Sequence, residues 1–559
     1  MSLRTLYQAL LDSEPARLRV IAGQWEISLT ASRRTDLAAE LADAMAHVER
    51  VTAAWDSLTP RSRAALEDLL RREGALPWPA FTRRWGPLRT VGPGRLEREE
   101  LWRDPISATE TLWYWGFLYR TSTVSATGAT SEMAFVPDDL ALYLPAPPPL
   151  EIPPPDPASS PLRMLGGDDS LADDLVSLWS LLQNEAVRPD EDGSWPPRHR
   201  ERLLARVHPP AGPRLALLET LAREVGWIRR DERGLLRPVP DPMLEWLHAD
   251  RWTQWERLVH AWQESERWND VAWVPGLQPD TTLGWPNDPL ATRSNVLVML
   301  RRCVTDVWYT MADFVTHAHQ HTPDFLRLDG DYEAWSPRDA VTGAPLRGFD
   351  AWETVEGALL AFLITGPLYW LGLVDLGKST PWLPPDRFRV SAAGAALLGA
   401  ADPPTFLEPA PIEVRVSGLL LVPPERRYER FQMSRIATPV GEEGLHLYRL
   451  TPRSLKRARR QRIPLERIEG FLEEALEQPL PTTLRQAIEE TYRGGGEARM
   501  MRGWILRVQD AELLDADAVR DLIQERLGPQ VALVREADRE QLLRILALQG
   551  ILPEVEELT

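Results

Sequence analysis

The stretch "PLYWLGLVDLGKSTPWLPPDRFRV", Pro367 to Val390, admits two readings, and the choice between them decides the fold. Gly372 to Thr380 satisfies G-x-x-x-x-G-K-[ST], the string of a phosphate-cradling loop. A working loop of that kind follows a buried strand and opens a helix whose N-terminal amides hold the phosphates. Here the order is inverted. Asp350 to Leu371, with a break expected at Gly366-Pro367, reads as a long apolar helix before the string. After it, Pro381, Pro384 and Pro385 oppose any continuous helix. The consistent reading is helix, glycine, strand, turn, strand, with Gly372 ending the helix and Arg387 to Val390 forming the second strand. No apolar strand ending in paired carboxylates offers a magnesium site. The string is read as a hairpin, and Lys378 as no nucleotide ligand.

The same pattern recurs twice. "TLWYWGFLYR" turns at Gly116, and "LAREVGWIRRDERGLLRPV" turns at Gly226. Helical segments precede each turn: Ser62 to Arg72 and Ala80 to Trp85, then Leu175 to Glu185 and Arg198 to Val207, then Asn295 to Gln320 before the third. Helices followed by a two-stranded wing are the order of a winged helix-turn-helix, so three tandem copies are expected.

Proline-dense stretches divide the chain. "PAPPPLEIPPPDPASSP", Pro145 to Pro161, reads as a stiff, extended linker, and "GADPPTFLEPAPIEV", Gly399 to Val414, as a second break. The expected organisation is a winged-helix-like domain at 1–144, the linker at 145–161, a second such domain at 162–250, a Trp-rich third at 251–400 and a small α+β domain at 411–559. In that last part "IEVRVSGLLLV" reads as one buried strand. Helices follow at Pro452–Arg460, Leu465–Leu476 and Thr483–Tyr492. Strands are expected in "ARMMRGWILRVQD" and "PQVALVRE", with a helix Asp517 to Arg526 between them and a last helix Asp538 to Leu548. The fold class is therefore mainly α with small β wings: tandem winged helices, then a small α+β domain.

Composition limits function. The 559 residues are 43% apolar and 26% charged, with no apolar run long enough to span a bilayer and no secretory leader at the start. A single cysteine, Cys303, excludes a disulfide framework and a Cys-rich zinc site, and a reducing cytoplasm is the expected compartment. A net charge of −18 argues against a surface wholly coated by nucleic acid, but leaves room for one basic face.

Basic faces exist. "TPRSLKRARRQR" gathers Arg453, Lys456, Arg457, Arg459, Arg460 and Arg462, with Leu455 and Ala458 placed to face a core while the cations line the other side. "RRWGPLRTVGPGRLEREELWRD" gathers Arg83, Arg84, Arg89, Arg95, Arg98 and Arg103, which either grip phosphate or pair with Glu97, Glu99 and Glu100. Among the expected recognition helices, the third carries no cation from Asp350 to Gly377, and the first presents Ser107, Thr109 and Glu110 outward. Only the second, with Arg214 and Arg223, has an ordinary composition for DNA. "THAHQHT" brings His317, His319 and His321 together, either a solvated helix end or, with Asp313, a metal site. Without H-E-x-x-H or a cysteine partner, no metal is expected. Trp252, Trp255, Trp262, Trp268 and Trp273 are either base-stacking platforms or core. No catalytic constellation, cofactor or small-molecule substrate emerges.

With these residues in view, the C-terminal part resembles the helicase-associated domain found N-terminal to the motor in bacterial XPB-type helicases. The resemblance rests on Tyr448, Leu450 and Thr451; Ser454 and Leu455 opening a basic helix; Phe471, Leu472 and Glu473; and Pro479, Leu480 and Pro481. It extends over about residues 411 to 552, with "VALVRE" and "ADREQLLRIL" fitting its end. It implies a DNA-handling or helicase-partner context. The motor is not found in this sequence, so helicase activity does not carry over. The expected role is a non-catalytic accessory in DNA transactions, binding DNA or a helicase-like protein partner. The alternative is an interaction scaffold or transcription regulator without affinity for DNA.

Overall fold

The three turning glycines adopt the left-handed backbone that the sequence requires of them, with φ of 71° at Gly116, 80° at Gly226 and 71° at Gly372. Each ends a helix and leads into an antiparallel hairpin. These are Tyr119–Val124 with Thr130–Phe135, Ile228–Arg230 with Leu236–Pro238, and Val374–Lys378 with Arg387–Val390. The computed structural model describes residues 4–124, 130–167, 170–190, 195–207, 211–280, 285–415, 418–442, 444–494 and 503–556. Helices dominate, and the sheets are small and antiparallel. Among the described residues no helix is long and apolar enough to cross a membrane.

The chain divides into two units. The first comprises residues 1–411, 422–435 and 442–446. Its N-terminal helices bury Leu10, Ile21, Leu41, Leu66 and Phe81 in one core, against Phe117, Leu118 and Phe135 around the first hairpin. A larger core runs from Leu171 to Phe431 and is shared by segments 162–250 and 251–400. At its heart Trp179, Trp227 and Trp246 meet edge to face, with ring centroids 5.4–6.1 Å apart. Each such ring adds a large apolar area, and the tilted geometry adds about 0.5–1.5 kcal/mol per pair beyond it.

Several expectations about this unit change. The helical segment Asn295 to Gln320 is two helices, Pro289–Leu300 and Met311–His321. Between them Tyr309–Thr310 pairs with Arg387 and Phe388, and the Thr310 side chain accepts from Asp313 N to cap the second helix. Asp350 to Leu371 breaks at Gly366-Pro367 as expected, into helices Ala358–Thr365 and Pro367–Trp370, since Pro367 supplies no N–H to continue the ladder, but its start is a 3-10 turn and a π turn at Glu353–Gly357 rather than α-helix. The proline-rich stretch is extended but not free. Ala158 bridges to Trp308, and Pro161 packs so closely on Gly377 that a Cβ there would lie 2.7 Å from it. Arg163–Leu165 then joins the third hairpin, giving a four-stranded sheet completed by Tyr309–Thr310.

The second unit comprises residues 412–421, 436–441 and 447–559. "IEVRVSGLLLV" is a hairpin rather than one strand: Glu413–Val414 pairs with Leu419–Val422 across a turn at Gly418, φ 73°. His446–Arg449 and Thr438–Glu442 complete that sheet. Helices Pro452–Arg460, Leu465–Leu476 and Thr482–Arg493 follow as expected. The last sheet orders Trp504–Arg507, Val531–Val534 and Ile523–Gly528. The expected helix Asp517 to Arg526 therefore stops at Arg520, because the turn at Gly528-Pro529 lets Ile523–Gly528 pair with Val531–Val534. The start of the strand read in "ARMMRGWILRVQD" lies outside the described residues.

Candidate nucleic-acid interface

The helix Pro452–Arg460 is built by its first four residues. Thr451 accepts from Ser454 N, the Ser454 hydroxyl accepts from Thr451 N, and Pro452 fits the first turn, where no N–H is needed. Ser454, Leu455 and Ala458 are buried, fixing which face meets the unit's core. At about 100° per residue, Arg453, Lys456, Arg457 and Arg460 fall on the opposite face. Arg453, Lys456, Arg459, Arg460 and Arg462 are exposed. Arg457 is half-buried, its Nη2 donating to Ala437 O at 2.7 Å. Among the described residues Arg453, Arg459, Arg460 and Arg462 have no carboxylate partner. Cations in the last turn also suit the helix's negative end, which accounts for part of the clustering. The outer row, Arg453 and Lys456, is not explained that way.

The N-terminal arginines are placed differently. Arg83 forms an ion pair with Asp324 and donates to Gly330 O at 3.0 Å. Arg84 lies 3.4 Å from Asp68, and Arg95 2.9 Å from Glu99. Arg89 pairs with buried Glu110, Arg103 with Glu100, and Arg19 with Glu97. A phosphate approaching Arg83, Arg84 or Arg95 meets a guanidinium already matched by a carboxylate. Asp68 and Asp324 are far from their partners in sequence, so spacing could not reveal them.

Arg83 and Arg84 share a cleft of about 430 Å³ with His319, His321, Asp68 and Asp324. The histidines are used in packing. His317 and His321 have ring centroids 4.5 Å apart, His317 Nε2 lies 2.8 Å from Pro153 O, and His319 stacks on Phe349 against Trp352. Burial first, and then the electrostatic effect of neighbours that include Arg302 and Arg84, lowers His321 from the ordinary imidazole value. Among the described residues no three His, Cys, Asp or Glu side chains are placed to hold a metal.

The expected recognition surfaces are corrected. Thr109 and Glu110 point inward and are fully buried; the Glu110 carboxylate accepts from Ile106 N at 2.9 Å and from the Arg89 guanidinium. Arg214 is fully buried against Asp174, and Arg223 pairs with Glu219. These helices offer no free cation at the positions expected to read DNA. The tryptophan cluster is core too. Trp262 and Trp268 indoles donate to Asp270, which pairs with Arg293 at 2.7 Å, and Arg293 in turn donates to the carbonyls of Trp262 and Ser265. Lys378 is the last residue of a strand in the antiparallel hairpin, with no helix opening after it.

Residues 416–531 match the family described as helicase conserved C-terminal domain. This stretch is helicase-like. It contains the basic helix Pro452–Arg460 and most of the motifs on which the resemblance rests, so the helicase-associated character of the C-terminal part stands at that level. No curated protein matches the sequence.

Proposed function

We propose that this protein is a non-catalytic accessory of DNA transactions that binds nucleic-acid phosphates through the exposed face of helix Pro452–Arg460. The observation that carries the reading is the set of four arginines, Arg453, Arg459, Arg460 and Arg462, without carboxylate partners among the described residues, on a helicase-like segment of an otherwise acidic chain. Unneutralised cations clustered along one exposed helix and the turn just after it are the electrostatic footprint of phosphate recognition. The finer assignment is to the helicase-associated domain of XPB-type proteins, here without a motor. The inverted context of the Gly372–Thr380 string supports the absence of ATP chemistry, since its lysine ends a strand and prolines follow. The three helix–glycine–hairpin units are read as winged helices used mainly for packing and protein contacts, because Thr109, Glu110 and Arg214 are buried and Arg223 is ion-paired with Glu219.

A specific observation favours the rival, a protein scaffold without DNA affinity: Arg83, Arg84 and Arg95 are all ion-paired. Anisotropy of labelled single-stranded, duplex and forked DNA over a salt series separates the two. The proposed function requires affinity that falls steeply with salt; absence of binding at low salt leaves the scaffold.

A further inference from the structure

Of the 23 tryptophans, Trp382 alone is exposed, with 92% of its surface open to solvent. It stands on the loop between Val374–Lys378 and Arg387–Val390, beside Leu383, itself 61% exposed. The loop is held rather than loose. Ser379 N donates to Asp386 Oδ1 at 2.7 Å, the Ser379 hydroxyl donates to the other carboxylate oxygen, and Asp386 N returns to Gly377 O at 3.0 Å. Pro381, Pro384 and Pro385 fix three more φ angles around the indole. A rigid loop presenting a bare indole leaves a large apolar area in water that a partner's surface would cover.

The base of the loop is cationic. Lys378 pairs in register with Arg163 on the neighbouring strand, so two like charges sit directly opposite each other, an arrangement that destabilises a sheet when uncompensated. Among the described residues neither has a carboxylate partner. The nearby acids are engaged elsewhere: Asp386 with Ser379 and, at 3.7 Å, Arg387, and Asp375 with Arg389 at 2.7 Å and with Gly167 N. A π face four residues beyond an unneutralised cation pair matches a chain of alternating planar bases and phosphates.

We propose that this hairpin tip is a second nucleic-acid contact, in which Trp382 stacks on an unpaired base while Lys378 and Arg163 take the adjacent phosphates. The inference rests on the reading of the protein as nucleic-acid-binding, but uses residues independent of the basic helix. It commits to single strands, because in a closed duplex the base faces are already stacked.

The test uses the full chain labelled with 5-fluorotryptophan. The 19F resonance missing from Trp382→Ala assigns the indole, and an oligo-dT is then titrated in. The proposal expects that resonance to shift and affinity for oligo-dT to fall about tenfold in Trp382→Ala, stacking being worth roughly 1–3 kcal/mol per base. Trp382→Phe should restore most of it, and Lys378→Ala with Arg163→Ala should flatten the salt dependence. Duplex affinity should be unchanged by Trp382→Ala. Because the side chain is exposed, the thermal midpoint should not move. If the Trp382 resonance stays still and Trp382→Ala binds oligo-dT normally, while an Arg453→Ala, Arg459→Ala, Arg460→Ala variant loses binding, the tip proposal fails and the basic-helix reading stands. A tip that responds to an acidic protein but not to oligo-dT also overturns it, as does a wild-type chain that binds no nucleic acid.

Discussion

Arg214 and Asp174 form an ion pair 2.6 Å apart, with side-chain exposures of 0% and 3%. Ser170 Oγ accepts a further hydrogen bond from the same guanidinium at 2.7 Å. This arginine, one of the two that give the second expected recognition helix an ordinary composition for DNA, is a structural strut. Removing one member of such a pair strands the other charge in the core. Arg214→Ala is therefore expected to cost about 3–5 kcal/mol, with much of that recovered by a paired apolar replacement, Arg214→Met with Asp174→Leu. Urea unfolding checks both; a loss below about 1 kcal/mol, the range of surface pairs, would contradict the buried geometry.

Burial pushes the Cys303 thiol up to about 12. An unfolded thiol titrates near ~8.5. Below that pH both states hold the proton and stability is intact. Above it the unfolded state releases the proton first, so stability falls by about 1.4 kcal/mol per pH unit as pH rises toward the folded value. Buried Tyr119 and Tyr332 are shifted upward as well, by burial first, and add to the fall at higher pH. Cys303→Ala should flatten the stability curve between about pH 8.5 and 10, before the tyrosines contribute. An unchanged slope there would mean the thiol is solvated.

Lys378 sits at the end of a hairpin strand and should support no nucleotide chemistry. Phosphate release from ATP is expected at the buffer background for both the wild-type chain and Lys378→Ala. Turnover by the wild type that vanished in the variant would restore the phosphate-loop reading.

His317, His319 and His321 are expected to be structural. Dialysis against EDTA should leave the thermal midpoint unchanged, and metal analysis should find no stoichiometric zinc, manganese or iron. A midpoint that drops on chelation and returns with one of these ions would reinstate the metal site.

How much of the fold and the interface is legible in the sequence depends on the range of the interaction. The helix-ending glycines Gly116, Gly226 and Gly372 and the capped basic helix are local signals, and they appear where the sequence places them. Leu455 and Ala458 face inward for the same reason, since helix period alone sets that face. The long-range pairings are not legible in this way. Glu110 on a short helix gives no hint that Arg89 would draw it inside, nor does Arg214 reveal Asp174 forty residues earlier. The strand Ile523–Gly528 reads as helix in the sequence because its polar residues suit either state until Val531–Val534 supplies a ladder. Trp382 is legible in principle: a tryptophan enclosed by prolines in a loop has no element to pack it.

The central claim is that Arg453, Arg459 and Arg460 face solvent to meet phosphate. It is tested most directly by the salt slope of duplex binding, measured on the wild-type chain and on the variant with all three changed to alanine. Removing one phosphate-binding cation should flatten log affinity against log salt by about 0.9, so the variant should be shallower by about 2.7 and weaker at low salt. The same slope and affinity in both proteins would contradict the account and leave this helix an ordinary solvated face.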